Sequence, residues 1–302
     1  PGLRYADGLE TILTSNTQLV HRQTILVVTE YVSPSSNSTG EYFFHIVTAL
    51  LEANCKLILV TPENQSNKSA CEFLRSNWGN SFEFYYSEDF SLYNQSRLKA
   101  VGWLLSTLSI WYQVNRVSKK SDLIFFGTNP TFLSVLNAFS FLFWRHKSIL
   151  LCYDIFPDNF IALADKKYKK IVAGILKQIF RSALKKVKKV LVIGNCMSDY
   201  LVERGVPKEN IITVSNWADG SEIYPLEKNE INKDVRFQFF GNLGPLQGIE
   251  HIIDAFGLVK SKNAFFTFAG RGKLSESIER FIENNNTMVG VNYIGSVDRT
   301  ER

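Results

Sequence analysis

Three glycine-bearing loops hold the residues of this 302-residue chain whose types and spacing suit a phosphate ester. The strongest is Phe240-Gly241-Asn242-Leu243-Gly244-Pro245-Leu246-Gln247-Gly248, which follows a strand pattern and opens a helix pattern. Glycines there let the backbone approach a ligand. The N–H groups of a helix start carry partial positive charge, so a pyrophosphate fits across them, with Asn242 and Gln247 adding polar side chains. The spacing is G-x-x-G-x-x-x-G, and no GK[ST] is present. Both the Walker A loop and the dinucleotide fingerprint are thereby excluded. Ala269-Gly270-Arg271-Gly272-Lys273 also lies between a strand and a helix. Its guanidinium and ammonium suit a phosphate or the edge of a base. Ser38-Thr39-Gly40 opens the first helix, where free N–H groups could meet an anion or sugar hydroxyls. Each loop also has a plainer reading: a tight turn, a solvated turn, and a Ser or Thr helix cap.

Asp154-Ile155-Phe156-Pro157-Asp158 lies just past an apolar strand. Ligands of open α/β sheets bind outside the carboxyl ends of strands, so Asp154 or Asp158 could bind sugar hydroxyls or act as a base. The plainer reading is a capping aspartate. The four histidines, His21, His45, His146 and His251, fall in no chemical pattern. Cys55, Cys71, Cys152 and Cys196 form no CxxC pair. The chain therefore predicts no metal site, no disulfide framework and a reducing compartment. It carries neither a nucleophile elbow nor a Ser-His-Asp signature.

These loops need a scaffold, and the hydrophobic pattern describes one. Continuously apolar strands at 24–29, 56–61, 82–86, 122–127, 148–153, 189–193 and 211–215 alternate with helices at 41–53, 97–117, 131–144, 168–187 and 197–204. The Asn- and Ser-rich stretch between the second and third strands reads as a loop. Buried strands alternating with helices predict an α/β fold with a parallel sheet covered on both faces. A polar linker follows at 217–234, and the pattern restarts with strands 235–240, 264–269 and 291–295 and helices 247–260 and 274–284. Three strands fall short of the five or six of a doubly wound domain. The expected organisation is a tail at 1–23, a Rossmann-like domain at 24–216, the linker, and an incomplete second domain at 235–302.

Composition narrows the partners. The chain is 45% hydrophobic and 21% charged, with a net charge of +5. That suits a packed protein and gives no reason to expect nucleic acid. Pro1 to Gln23 is mixed and polar, without the pattern of a signal peptide. No apolar run reaches the roughly 18 residues of a membrane-spanning helix. Residues 166–189 carry ten basic side chains and no acidic one, on a helical apolar period. Residues 98–114 and 132–147 are richer in apolar side chains than one buried face requires. Together the three segments predict adhesion to an anionic membrane surface; a sheet-covering helix with a solvated basic face is the other reading. The expected location is cytoplasmic, peripheral on the inner face of the cytoplasmic membrane.

Over residues 24–302 the chain resembles the group 1 (family 4) glycosyltransferases of the GT-B fold. The resemblance rests on five ordered segments: ILVVTEYVSP with its glycine loop, LLCYDIFPDNFIALA, VIGNCMSDYLVERGVPKENIITVSNWAD, FFGNLGPLQGIEHIIDAF and FTFAGRGKL. The second and fourth look most like bacterial members that build cell-surface polysaccharides. The resemblance implies two Rossmann-like domains with the donor diphosphate on Gly241, Asn242, Gly244 and Gln247. It places Gly270 and Arg271 near the nucleotide and Gly40 and Thr39 toward the donor or acceptor. Asp154 would carry the catalytic carboxylate, Asp158 would lie on the acceptor side, and Asn216 to Asp219 would mark the interdomain crossover. The implied reaction moves a sugar from a UDP- or GDP-sugar to a glycan or lipid-linked acceptor, with retention and without metal or cofactor. The alternatives are a GT-B-fold epimerase and a truncated, inactive binding protein. The chain departs from the pattern in three ways. Asn242 and Gln247 stand where many members have Arg and Lys, and Tyr153 stands where many have His. No E-x7-E segment follows Tyr293-Ile294-Gly295, which predicts little activity for the 302-residue chain.

Overall fold

The computed structural model describes residues 22–34, 37–90, 99–130, 132–139, 148–156, 158, 167–218, 220, 224, 234–244, 247–259, 261, 263–284 and 290–297. Most of the expected tail and linker, and residues 140–147 of one apolar segment, lie outside the described residues. The chain divides into two compact units, Pro1–Trp217 and Ala218–Arg302.

The first unit contains strands β1 (Thr24–Val28), β2 (Lys56–Pro62), β3 (Phe82–Ser87), β4 (Leu123–Gly127), β5 (Ser148–Cys152), β6 (Lys189–Val192) and β7 (Ile211–Thr213). Its helices are α1 (Ser38–Glu52), α2 (Gln65–Trp78), α3 (Lys99–Val117), α4 (Leu133–Phe139), α5 (Lys167–Leu184) and α6 (Asn195–Glu203). All strand pairs are parallel, in the order β3-β2-β1-β4-β5-β6-β7. Successive strand residues point to opposite faces, and two cores result. Leu26, Val28, Ile58, Val60, Leu150 and Cys152 pack on one face with Ile110 and Val114 of α3 and Leu201 of α6. Ile25, Val27, Leu57, Leu59, Ile149 and Leu151 pack on the other with Phe43 and Val47 of α1 and Leu74 of α2. Burial on both faces is why the strands read as unbroken apolar runs. The chain order reverses between β1 and β4, so the ligand crevice of such a sheet is expected at the carboxyl ends there.

One element corrects the sequence reading. The stretch expected as a loop before β3 contains α2, 14 residues long. Its composition is polar, but Asn67, Ala70, Cys71 and Leu74 recur at i, i+3, i+4 and i+7 and are all buried. Asn64 caps it, its side chain accepting from Asn67 N at 2.9 Å. A core-facing asparagine in the apolar stripe hid the period. Elsewhere the element types agree and ends move by a few residues. The strand expected at 211–215 stops at Thr213, and α1 starts at Ser38 rather than at 41.

The second unit has strands β8 (Val235–Phe240), β9 (Ala264–Ala269) and β10 (Val291–Tyr293), parallel in the order β10-β9-β8, with helices α7 (Ile249–Gly257) and α8 (Ser275–Asn284). Leu243, Ile249, Phe266, Phe268 and Ile278 form its core. The edge strand β8 leaves Val235, Phe237 and Phe240 exposed.

Candidate functional site

Two of the predicted loops fold into one structure at the carboxyl ends of β8 and β9. Gly241 N donates to Ala269 O at 3.0 Å, Leu243 N donates to Arg271 O at 3.0 Å, and Leu274 N returns to Leu243 O at 3.0 Å. The backbones touch so closely that a Cβ on Gly270 or Gly272 would run into the carbonyls of Gly241 and Leu243. These two glycines serve loop-to-loop packing. A third carboxyl-end loop joins them, because Gly270 N donates to Gly295 O at 2.6 Å and the Tyr293 hydroxyl donates to Gly270 O at 2.9 Å. Nothing in the sequence marked Tyr293 for that role, since a tyrosine in a strand is ordinary.

Leu243 is buried and anchors the cluster in the core, while Gly241, Asn242, Gln247, Arg271 and Lys273 are exposed. The Gln247 and Asn242 side chains lie over Gly244. Helix α7 starts behind them with Gly248 as N-cap, in the left-handed region at φ 64°, and among the described residues no side chain caps its N–H groups. The result is an uncapped helix start beside one guanidinium and one ammonium, which is an anion-binding arrangement. The structure therefore brings Gly241, Asn242, Gly244, Gln247, Gly270 and Arg271 together.

In the first unit the predicted residues divide. Helix α1 is capped by Asn37 rather than by Ser38 or Thr39, and Asn37 Oδ1 accepts from Gly40 N at 2.9 Å. That N–H is spent on the cap, and Gly40 is buried. Asp154 is exposed just past β5. Asn216 is exposed, and Asp219 lies outside the described residues. Among the described residues no three His, Cys, Asp or Glu side chains gather at metal-holding distance.

Asp158 faces the helices. Its carboxylate accepts from Lys177 Nζ of α5 at 3.0 Å and from Arg204 Nη2, just past α6, at 3.4 Å, while the Arg204 guanidinium lies against Tyr200. The geometry makes Asp158 a latch between its loop and two helices. Burial raises its pKa, but hydrogen bonds from Lys177 and Tyr200 and the charges of Lys177 and Arg204 outweigh it and hold the carboxyl below its usual value. A depressed carboxylate stabilises the fold above its unfolded pKa of about 3.9 and loses that contribution as pH falls through the folded value. Asp158→Asn is therefore expected to cost about 1 kcal/mol at neutral pH, discounted for partial exposure. Urea unfolding should show the gap from wild type narrowing as pH falls below the unfolded value of about 3.9 and through the lower folded value.

Glu30, just past β1, escaped the sequence reading because a single acidic residue carries no pattern. Burial raises its pKa and outweighs the lowering by a hydrogen bond from Tyr31, and the charge of Asp89 adds a smaller upward push. The Tyr31 hydroxyl donates to Glu30 Oε1 at 3.2 Å.

The seven-stranded and three-stranded parallel sheets, with glycine loops at the carboxyl ends, make up an α/β fold that the chain shares with solved glycosyltransferases. Among curated proteins it is 31% identical over 268 residues to the probable glycosyltransferase WbjE of Pseudomonas aeruginosa, covering 85% of this chain and 65% of WbjE. It is 25% identical over 134 residues to WcaI of Escherichia coli, which is named as a colanic acid biosynthesis glycosyl transferase; that match covers 41% of this chain and 33% of WcaI. The chain thus spans less than two thirds of the length of either relative. No family model matches it. Among solved structures it is similar in fold to Anabaena HepE in complex with UDP and glucose, at TM-score 0.58 and 15% identity, over 91% of this chain and 70% of HepE. It is also similar to WaaG, a glycosyltransferase involved in lipopolysaccharide biosynthesis, at TM-score 0.58 and 9% identity, over 92% of this chain and 71% of WaaG.

Proposed function

We propose that the protein containing this chain transfers a sugar from a nucleotide-sugar donor to a glycan acceptor in cell-surface polysaccharide synthesis. The observation that carries this reading is the joined loop cluster of Gly241–Gly244 and Gly270–Gly272 beside the uncapped start of α7. The relationship to WbjE and WcaI and the UDP complexes of HepE support it. With Asn242 and Gln247 neutral, the diphosphate is held by α7 N–H groups and by Arg271 and Lys273. Stabilising the leaving diphosphate is the main catalytic task, and fixed donors perform it without a metal or cofactor. The anomeric configuration is retained, and Asp154 contributes a carboxylate on the acceptor side.

Calorimetric titration of the 302-residue chain with UDP and GDP tests the donor site. One of the two is expected to bind in the presence of EDTA, and Arg271→Ala is expected to weaken binding about tenfold, the loss of one charge-assisted hydrogen bond. Equal affinity for wild type and variant, or no binding of either nucleotide, would refute the reading.

The acceptor is lipid-linked, and the protein works at the inner face of the cytoplasmic membrane. Val101, Leu104, Leu108 and Tyr112 form an exposed stripe on α3, flanked by Trp103. Ile171 and Ile175 are exposed on α5, while α4 packs against both helices. Arg116 of α3 lies over the Tyr112 ring at 5.9 Å, and Lys119 and Lys120 follow. An apolar stripe ending in cations suits an anionic bilayer. No helix among the described residues is long and apolar enough to cross a membrane. The chain is expected to co-sediment with vesicles containing phosphatidylglycerol at low salt, and Leu104→Glu with Leu108→Glu to reduce this about tenfold or more. Equal binding of the double variant would rule the stripe out.

A further inference from the structure

Three aromatic rings from three separate elements meet at the carboxyl edge of the first unit's sheet. Tyr42 lies in the second turn of α1, Tyr153 directly follows β5, and Trp217 lies four residues past β7. The Tyr42 ring stands edge-on to Trp217, with centroids 4.9 Å apart and planes at 76°. It lies 5.8 Å from the Tyr153 ring at 31°. Tyr153 rests on the core layer formed with α1 and α2. Tyr42 and Trp217 belong to none of the buried clusters and stay partly exposed. The position of Tyr153 is fixed, because Tyr153 N donates to Thr128 Oγ1 at 3.3 Å, just past β4. Its hydroxyl is buried and has no hydrogen-bond partner among the described residues. Asp154 follows at once and is exposed.

Aromatic side chains outside a core, converging where an α/β sheet binds ligands, ask for a ligand with an apolar face. A pyranose ring has one. Its axial C–H bonds meet the negative face of an aromatic ring, and its equatorial hydroxyls reach sideways to a carboxylate. We propose that Tyr42, Tyr153 and Trp217 form a stacking platform for one sugar ring of the acceptor, with Asp154 taking its hydroxyls. The inference rests on the proposed sugar-transfer function and names the part of the first unit that reads the acceptor. It also gives Tyr153 a use: a ring at this position supplies stacking surface rather than a titrating group.

The test uses the isotopically labelled 302-residue chain and a panel of methyl glycosides of glucose, galactose, mannose, N-acetylglucosamine and fucose. The indole N–H resonance of Trp217, assigned by its loss in Trp217→Phe, reports directly on the platform. At least one glycoside is expected to shift that resonance saturably, in the millimolar range ordinary for a single sugar ring, about 4 kcal/mol of binding at 1 mM. Tyr42→Ala is expected to weaken this about tenfold, Asp154→Asn about fivefold, and Tyr42→Phe by no more than about twofold. The indole signals of Trp78 and Trp111, unchanged in the variants, establish that the fold is intact. A Trp217 resonance that no glycoside moves, or a Tyr42→Ala variant that binds as wild type does, overturns the platform. UDP titrated in parallel separates the two ideas. Binding of UDP without a glycoside response removes the platform alone, and a glycoside response without UDP binding removes the donor reading instead.

Discussion

A Gly270→Ala variant is expected to lose UDP binding by about a hundredfold or more and to destabilise the second unit by about 3 kcal/mol. Gly270 sits at φ +139°, a conformation that side chains rarely adopt, and its missing Cβ leaves room for the Gly241 carbonyl. Any side chain there must drive the 241–244 loop away from the 270–273 loop. The hydrogen bonds from Gly241 N to Ala269 O and from Leu243 N to Arg271 O would then break together. The backbone is rigid on both sides, so the strain has no flexible side chain to relax into. Gly244→Ala is the control. Its Cβ would meet Gln247 Oε1 at 3.0 Å and Asn242 Nδ2 at 3.3 Å, both far ends of flexible side chains. It should cost about 1 kcal/mol or less. Calorimetry with UDP and thermal unfolding of both variants check the contrast, and similar losses in the two would show that loop contact is not what Gly270 supplies.

The other large effect is expected at Asn67. This side chain is buried and makes four hydrogen bonds. Its Oδ1 accepts from Val32 N at 3.1 Å, and its Nδ2 lies 3.0 Å from Glu30 O, 2.8 Å from Thr61 Oγ1 and 3.0 Å from Pro62 O. It ties the end of β2 to the loop after β1, which also carries Glu30. Asn67→Leu keeps the branched heavy-atom skeleton and leaves the partners unpaired in a buried site. Each stranded group costs about 1–3 kcal/mol, so a total near 3 kcal/mol is expected once some regain water. Urea unfolding should show a lower midpoint at an unchanged slope. Asn67→Ser, which retains part of the bonding, should fall between the two. A leucine variant as stable as wild type would mean that the loop after β1 is held by other contacts.

The limits of the sequence reading follow from particular residues. The strands were legible because Leu26 and Val28 bury on one face while Ile25 and Val27 bury on the other, so no polar residue interrupts the run. Helix α2 was not legible, because its buried stripe includes Asn67 and its apolar members are small or few. The same asparagine that hid the helix is the one that holds the loop. The glycine loops were legible as phosphate loops. That Gly270 and Gly272 exist for contact with Gly241 and Leu243 was not, since the contact joins residues about thirty apart in the chain. Asp158 shows the reverse error of emphasis. A carboxylate at the end of a strand suggests a ligand, yet the ion pairs that occupy it come from Lys177 on α5 and Arg204 just past α6, both distant in the chain.

By itself the sequence determined the fold class, the parallel sheets and the glycine loops, because periodicity and backbone freedom are local properties of short segments. Only the tertiary structure decided which candidate groups are open to a ligand. Gly40 N is taken by the Asn37 cap and Asp158 by two cations, while Arg271, Lys273 and the start of α7 face outward. It alone brought Tyr42, Tyr153 and Trp217 together. Availability and convergence depend on partners remote in the chain, and no local pattern records them.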